Sequence, residues 1–181
     1  MKIKKIKFIS AICLSVAFAL TSCSSGVEYS IDNPTDQAIK VIIDENEPIT
    51  VEPNSYKKIE GTLEKGKHTM QLENGEKTEI NLDKDKVMLN PTLSNYVKVI
   101  QEYGVGLQSS ANDTTVMIDS KKYAGPIKEV SKAPVIYLGD INFDIETDYP
   151  SVVETSSKEK VSMMKIFRFV DFDKFYESEM N

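Results

Sequence analysis

The stretch that decides the fold is residues 66–82, which read GKHTMQLENGEKTEINL. Apolar and polar residues alternate on both sides of a turn at residues 73–75, which is typical of two strands joined in a hairpin. A two-residue Asn-Gly turn would put the apolar residues of the two strands on opposite faces. A three-residue loop with Gly75 in the left-handed conformation instead pairs Met70 with Thr78. We predict this register because it gathers on one face the side chains of His68, Met70, Leu72, Ile80 and Leu82.

The two-residue period of a strand continues along most of the chain after residue 27. Before the hairpin, strands are predicted over residues 27–31, 39–43, 49–51 and 55–60. After it, strands are predicted over residues 96–100, 116–118, 135–138, 141–145 and 161–170. The last of these is apolar on both faces, so we expect it to be central in its sheet.

The end of the chain changes from the strand period to a helical one. Phe172, Phe175 and Tyr176 have helical spacing, and Asp171 is a suitable N-cap, so a short terminal helix is predicted. The fold class expected from these patterns is mainly β. It comprises a small β-sandwich module at residues 31–90 and a β-rich second module at residues 91–181 that ends in the helix.

Residues 1–23 differ in composition from the rest of the chain. Four lysines lie among the first seven residues, a largely apolar run extends from Phe8 to Leu20, and Leu20-Thr21-Ser22-Cys23 follows. The run is too short to cross a bilayer, which takes about 20 residues. The tetrapeptide resembles the lipobox of bacterial lipoproteins, whose cysteine is diacylated and becomes the first mature residue. The resemblance implies a signal peptide over residues 1–22, lipid on Cys23 and a lipidated tether over residues 23–30.

Cleavage before Cys23 would change the formal net charge from −6 to −10, because it removes four lysines and no acidic residue. Such a chain lacks the clustered Lys and Arg that bind nucleic-acid phosphates, so nucleic acid is not expected as a partner. Cys13 would leave with the signal peptide, so no disulfide is expected. Ser24, which follows the cysteine, resembles the outer-membrane address of Gram-negative lipoproteins. We therefore expect a protein of the cell envelope whose lipid holds it stably to a membrane.

Residues 63–70, which read LEKGKHTM, resemble the strand entry of bacterial PEGA-like and related immunoglobulin-like β-sandwich modules. In those modules a short apolar strand followed by Asp comes earlier in the chain, as residues 41–44 do here. The chain departs from the pattern after Asp44, where Glu45 stands in place of the expected glycine. The resemblance covers about residues 38–72 and implies a small β-sandwich.

Two segments of the chain are similar to each other. Asn33-Pro34-Thr35, followed by IKVI at residues 39–42, is similar to Asn90-Pro91-Thr92, followed by VKVI at residues 97–100. The similarity would arise from a duplicated unit, and it would also arise by coincidence, because a turn followed by a strand favours the same residue types twice. The sequence leaves both interpretations open.

Residues 140–148 alternate polar with apolar side chains. The predicted strand would place five polar side chains on one face, namely Asp140, Asn142, Asp144, Glu146 and Asp148. One interpretation is a solvated face whose charge discourages edge pairing. The other is an acidic strand that binds a basic partner or, weakly, a divalent cation. An EF-hand is excluded, because Ile145 and Ser151 stand where its loop requires Gly and Glu.

The chain offers little catalytic chemistry. His68 is the only histidine and no mature cysteine is free, so a typical zinc site is not expected and a core or half-buried histidine is. The sequence contains no Gly-x-Ser-x-Gly motif and no Walker-type loop. We therefore expect no metal, no cofactor and no enzymatic activity.

These observations predict a lipid-anchored envelope protein that acts as a non-catalytic binding or accessory module for another envelope protein or an incoming one. Two alternatives remain open. The first is a binder of a small ligand or carbohydrate, or a hydrolase that uses a pair of the many carboxylates. The second is an inhibitor or immunity-type lipoprotein whose acidic surface meets a basic toxin or enzyme.

Overall fold

The computed structural model describes residues 26–104, 113–154 and 160–180. Cys23 and the predicted signal peptide lie outside these residues. The fold is mainly β, as the sequence predicts. The strands are β1 (Val27–Asn33), β2 (Ile39–Ile43), β3 (Ile49–Val51), β4 (Ser55–Leu63), β5 (Gly66–Leu72), β6 (Lys77–Leu82), β7 (Lys86–Leu89), β8 (Tyr96–Tyr103), β9 (Thr114–Ile118), β10 (Lys121–Gly125), β11 (Ile127–Ser131), β12 (Val135–Tyr137) and β13 (Val161–Arg168). Helix α1 (Phe169–Phe175) follows and continues into a π-helical turn at Tyr176–Met180.

Within the described residues the strands form three larger sheets and one separate hairpin. The central sheet has the order β12-β7-β1-β4, the first outer sheet β3-β2-β5-β6 and the second outer sheet β11-β8-β13. β9 and β10 form the hairpin. β1 and β7 are parallel neighbours, with Ile31 beside Leu89, whereas the other strand pairs are antiparallel.

Both faces of the central sheet are buried, which makes the molecule a stack of layers. Val87 and Leu89 of β7 pack into the core shared with the first outer sheet. Met88, between them, points the other way and packs with Ile166 of the second outer sheet. The far side of the second outer sheet packs against the β9–β10 hairpin and α1 in a third core, which includes Phe172.

The β5–β6 hairpin has the predicted register. Met70 lies opposite Thr78, and His68 lies opposite Ile80. Gly75 has φ +88, and its N–H donates to the carbonyl of Leu72 at 2.9 Å. A residue with a Cβ adopts this conformation only at a cost, so glycine at this position stabilises the three-residue loop and its register.

The similarity between the segments at Asn33 and Asn90 extends to five strands in each of two halves of the chain. The first half comprises β1 to β5, and the second comprises β7, β8, β11, β12 and β13. A first strand in the central sheet (β1 or β7) leads to a second strand in an outer sheet (β2 or β8). The second strand pairs with the third (β3 or β11) and the fifth (β5 or β13). The fourth strand (β4 or β12) returns to pair with the first. A shared order of five strands favours a duplicated unit into which the second half inserts the β9–β10 hairpin.

The central sheet joins strands from both sides of residue 90. β1, β4 and β7 precede that residue in sequence, whereas β12 follows it. In the sheet, β7 lies between β1 and β12. The division into modules at residues 31–90 and 91–181 stays a prediction.

The predicted strand at residues 141–145 is wrong. This segment makes one isolated parallel bridge, between Phe143 and Lys165 of β13. The N–H groups of Asn142 and Phe143 both donate to the carbonyl of Met164, at 2.9 and 3.0 Å. The alternating pattern therefore belongs to an irregular segment that covers the free edge of β13. The segment makes one bridge to β13 and forms no ladder with it.

The predicted strand at residues 161–170 is correct as far as Arg168 and wrong beyond it. α1 begins at Phe169, so Val170 lies in the helix, and Asp171 lies in its first turn rather than capping it. β13 is also an edge strand rather than a central one. Its two faces are apolar because layers pack on both sides of its sheet. The sequence patterns also missed three short strands, β7, β10 and β11.

Candidate functional site

A buried ion pair joins the two halves where β1 and β13 end. The Asp32 carboxylate is fully buried and accepts hydrogen bonds from Arg168, at 2.6 Å from Nη2 and 2.9 Å from Nε. It also accepts the Tyr96 hydroxyl at 2.6 Å. Burial and the neighbouring Asp32 carboxylate raise the pKa of Tyr96 well above its usual range, so this hydroxyl stays protonated and donates. The arrangement fixes the end of β13 and the start of α1 against β1.

Directly beside this ion pair, the turns between strands form an open surface. Arg168 lies at the base of a shallow cleft of about 350 Å³, whose walls come from the turn after β1, the turn after β7, the β9–β10 turn and α1. We call its rim the turn surface, which comprises Pro34, Leu93, Asn95, Asp119, Lys132 and Val170.

The turn surface exposes two apolar side chains, one of which has an unusual backbone conformation. Leu93 is 40% exposed and Val170 is 51% exposed. Leu93 also has φ +50, a left-handed conformation that is uncommon for a bulky residue without glycine's freedom. Such strain costs on the order of 1–3 kcal/mol and recurs at binding sites, where the surrounding structure holds the residue in place.

Two buried asparagines hold the turns that carry this surface. The Asn33 side-chain amide donates to the carbonyls of Gln37, Val51 and Glu52 at 2.7 to 3.1 Å. The Asn90 amide donates to the carbonyls of Ser94 and Ala133 at 2.9 and 3.2 Å. In both halves the asparagine at the end of the first strand therefore bonds the turn that follows it and the segment after the third strand.

The turn surface lies at the end of β1 that is farther from Cys23 along the chain. β1 begins at Val27, four positions after the cysteine, and ends at Asn33, next to Pro34. Its seven residues span about 20 Å at roughly 3.3 Å per residue. β7 runs parallel to β1, so its following turn, which carries Leu93, is at the same end.

The five residues of the predicted acidic strand do not form a stripe. Asp140 accepts a hydrogen bond from Lys98 at 3.3 Å, and the Asn142 side chain accepts the Met164 N–H at 2.8 Å. Asp144 forms an ion pair with Lys58 at 2.6 Å. Glu146 and Asp148 are exposed.

The same segment wraps around a buried lysine. The Lys165 ammonium donates to the carbonyls of Asp144 and Thr147 at 2.9 and 2.5 Å. Burial lowers the pKa of Lys165, while nearby acidic groups, first Asp148 and then Asp144, oppose that shift. Asp140, Asn142 and Asp144 are thus engaged by β8, β13 and β4 in turn, and binding of a basic partner at this segment stays a prediction.

His68 is half-buried on β5, beside Asp44, which directly follows β2. Its Nδ1 lies 2.8 Å from an Asp44 oxygen and its Nε2 lies 2.8 Å from the carbonyl oxygen of Glu64. Burial alone would lower the pKa of His68, but the hydrogen bonds to Asp44 and Glu64 outweigh it and raise the pKa. Among residues 26–104, 113–154 and 160–180, no group of three or more His, Cys, Asp or Glu side chains is placed to hold a metal.

None of the helical segments that the structure describes is long and apolar enough to cross a membrane. Compared with protein-family models, curated proteins and solved structures, the chain matches none of them.

The sequence patterns missed the residues that organise the turn surface. Arg168 is the only arginine in the chain, and it lies in an otherwise apolar segment, which is a usable signal for a structural ion pair. Asp32 gave no such signal, because polar residues alternate with apolar ones in β1 as they would on a solvated face. Leu93 and Val170 are apolar residues whose exposure no periodicity reveals.

Proposed function

We propose that this chain is a lipid-anchored protein of the cell envelope, held to a membrane through Cys23, that binds another envelope protein or an incoming one through its turn surface. The observation that carries the proposal is the direction in which β1 runs. The strand starts four positions after the cysteine and ends at the turn surface, so a membrane anchor at Cys23 directs that surface away from the membrane.

The chemistry of the turn surface supports a protein partner. Exposed Leu93 and Val170 offer apolar contact area, and Lys132 and Asp119 at the rim offer polar contacts of both signs. Protein interfaces commonly combine exposed apolar side chains with polar side chains in this way. The turns are held by buried Asn33 and Asn90, so little ordering is needed on binding.

This surface favours an accessory role over the inhibitor or immunity-type alternative. An inhibitor of a basic toxin needs a concentrated negative potential at the contact. The turn surface carries one anion, Asp119, beside the cation Lys132, and the nearby charge of Arg168 is matched by Asp32. The acidic balance of the chain lies elsewhere.

Co-purification tests the proposal. The C-terminally tagged protein is isolated from gently solubilised envelopes, in parallel with Leu93→Ser/Val170→Ser and with Val152→Ser. Val152 is the matched control, because it is 76% exposed and lies outside the turn surface. We expect a stoichiometric partner with the wild type and the control, and its loss with the double variant.

Three results would contradict the proposal or a part of it. Recovery of the same partner with the double variant would place the binding surface elsewhere. A wild-type preparation without any partner would favour the small-ligand or hydrolase alternative. Recovery that is equal from Cys23→Ala cells would show that the anchor is not needed for the encounter.

A further inference from the structure

A second cleft, of about 420 Å³, opens over the second outer sheet, on the side that carries α1. Its floor comes from β8 and β13, and its walls come from residues 148–151 and from the π-helical turn after α1. Sites for small ligands commonly have volumes of about 300–1,000 Å³. We call this the aromatic cleft.

The aromatic cleft lies at the edge of the third core, so aromatic side chains of that core reach its surface. Phe167 is buried at the floor, and Phe175 stacks on it with ring centroids 4.9 Å apart. The Tyr149 ring packs against both at 6.1 Å. Tyr103 follows Val99 of the same core by four positions on β8, so both face the same side of the sheet. Tyr103, Tyr149 and Phe175 are only half-buried, so part of each stays open to solvent where it lines the cleft.

Lys165 also lines the aromatic cleft, but its N–H groups are not available to a ligand. The residue is buried, and its ammonium donates to the carbonyls of Asp144, Ile145 and Thr147 at 2.9, 3.4 and 2.5 Å. A lysine ammonium has three N–H donors, so these three carbonyls use all of them. An anionic ligand would therefore find no free donor at this lysine.

The position of the same ammonium shows that the aromatic cluster accepts a cation. Lys165 Nζ lies 4.9 Å from the centroid of the Phe167 ring, within the roughly 6 Å range of a cation–π contact. The face of an aromatic ring is negative, so it attracts cations and not anions. Tyr149 and Phe175 offer the same chemistry at the surface of the cleft.

The accessible charges of the aromatic cleft are both negative. Asp148 and Glu179 lie on its two walls, and both are exposed. Within the part of the chain that the structure describes, neither carboxylate forms an ion pair. Asp148 is close enough to Lys165 to oppose the lowering of the lysine's pKa, so part of its charge is offset. The charged groups that line the cleft, these two and Lys165, still sum to one negative charge.

We propose that the aromatic cleft binds a small organic cation, in which an ammonium group is carried on an apolar body. The body lies against Tyr149 and Phe175, and the ammonium lies at the rim with Asp148 and Glu179. Aromatic rings are the usual means by which proteins recognise quaternary ammonium groups, and the two carboxylates add an attraction of matching sign. The inference goes beyond the proposed function, because it uses neither the turn surface nor the anchor.

NMR of the purified full chain in a neutral detergent, with isotopic labels in the methionine methyl groups, tests this inference. Met180 lines the cleft, whereas Met117 is 64% exposed on β9 and does not line it. Benzyltrimethylammonium is titrated as the cation, with benzyl alcohol and benzoate as its neutral and anionic counterparts. We expect the cation to give a saturable shift of the Met180 signal in the millimolar range and to leave Met117 unchanged. Benzyl alcohol should bind more weakly, and benzoate should not bind.

Variants of the charges and of one ring identify what the cleft recognises. Glu179→Gln should weaken binding of the cation about threefold, and Asp148→Asn should weaken it less, because Lys165 already offsets part of the Asp148 charge. Phe175→Leu keeps an apolar side chain and should weaken binding of the cation more than that of benzyl alcohol. Glu146→Gln is the matched control, because Glu146 is exposed, two positions from Asp148, and does not line the cleft. Its affinity for the cation should equal that of the wild type.

Three results would overturn the inference. Benzyl alcohol or benzoate binding as tightly as the cation would show an apolar surface without preference for positive charge. Unchanged affinity in the double variant Asp148→Asn/Glu179→Gln would show that the carboxylates are not recognised by the ligand. A cation titration that leaves the Met180 signal unshifted would place any binding elsewhere. The purified chain is used alone, so the outcome does not depend on whether the turn surface has a partner.

Discussion

The guanidinium of Arg168 donates to the carboxylate of Asp32 at 2.6 Å, across 136 positions of the chain. Asp32 belongs to the first half and Arg168 to the second, and both lie at the ends of their strands, below the turn surface. Desolvated charges stabilise a fold only when they are well paired, as they are here. This contact therefore couples the packing of the two halves to the position of Phe169 and Val170 on α1.

Replacing Arg168 with Met should destabilise the fold by about 3–5 kcal/mol, because it leaves the Asp32 carboxylate buried without a cation. Urea unfolding followed by circular dichroism measures the change. Arg168→Lys should destabilise the fold by an intermediate amount, because lysine retains the charge but cannot form the bidentate contact.

The double variant Asp32→Asn/Arg168→Met is the control for this prediction. It removes both charges and keeps an acceptor for the Tyr96 hydroxyl, so it should be more stable than Arg168→Met alone. A cost below about 1 kcal/mol for Arg168→Met would mean that the pair does not couple the halves.

Asn33→Ala and Asn90→Ala should each destabilise the protein by about 1–3 kcal/mol, because each leaves buried backbone carbonyls without donors. Similar effects at the two positions are expected if the halves are a duplicated unit. Asn81→Ala is the matched control, because Asn81 is exposed on β6, and it should change stability by less than about 0.5 kcal/mol. A neutral effect at either buried position would argue against the shared role.

Gly75→Ala should destabilise the β5–β6 hairpin by about 1–2 kcal/mol, because φ at this position is +88 and a Cβ disfavours it. Gly75→Asn should cost less, since asparagine tolerates the left-handed conformation better. Thermal unfolding of the three chains gives the order. Equal stability of Gly75→Ala and wild type would contradict the three-residue loop.

The His68–Asp44 contact should make stability depend on pH. The pKa of His68 is raised above its ordinary 6.5, so its contribution is fully present below that pH and is lost as pH rises through the raised value. The pKa of Asp44 is lowered below its ordinary 3.8, first by the hydrogen bond to His68, so its contribution is lost as pH falls through the lowered value. The pair should therefore stabilise most between about pH 4 and 6.5.

Proton NMR of the His68 ring measures this directly, because the chain has no other histidine. The titration midpoint should lie above 6.5 and should fall in Asp44→Asn. His68→Gln should be less stable than the wild type mainly between about pH 4 and 6.5. A midpoint at or below 6.5, or one that Asp44→Asn leaves unchanged, would rule out the coupling.

Most strands of the first half could be predicted because strands such as β3 and β6 alternate buried apolar with exposed polar side chains. The register of the β5–β6 hairpin followed from Gly75 and from keeping Met70 and Ile80 on one face. The segment at residues 141–145 has the same alternation without being a strand. Its backbone makes one bridge to β13 and carbonyls that accept from Lys165, and side-chain periodicity does not distinguish such a segment from a strand.

The candidate sites could be predicted less well, because they depend on which layers meet. Asp32 alternates with Ile31 as a solvent-facing residue would, yet a second sheet covers it. Val170 continues the apolar run of β13 in sequence, yet the chain turns into a helix one residue earlier. Arg168 was the one informative signal, as the sole arginine, and its partner could not be identified without the packing of β1 against β8 and β13.

Site-specific photo-crosslinking in cells tests whether the turn surface of the anchored protein contacts a protein partner. A photoreactive amino acid is placed at position 170, on the turn surface, or at position 152, in chains with Cys23 and with Cys23→Ala. We expect one discrete protein adduct from position 170, none from position 152, and a weaker adduct without the anchor cysteine. No adduct at position 170, or the same adduct from both positions, would contradict a lipid-anchored protein that binds its partner through the turn surface.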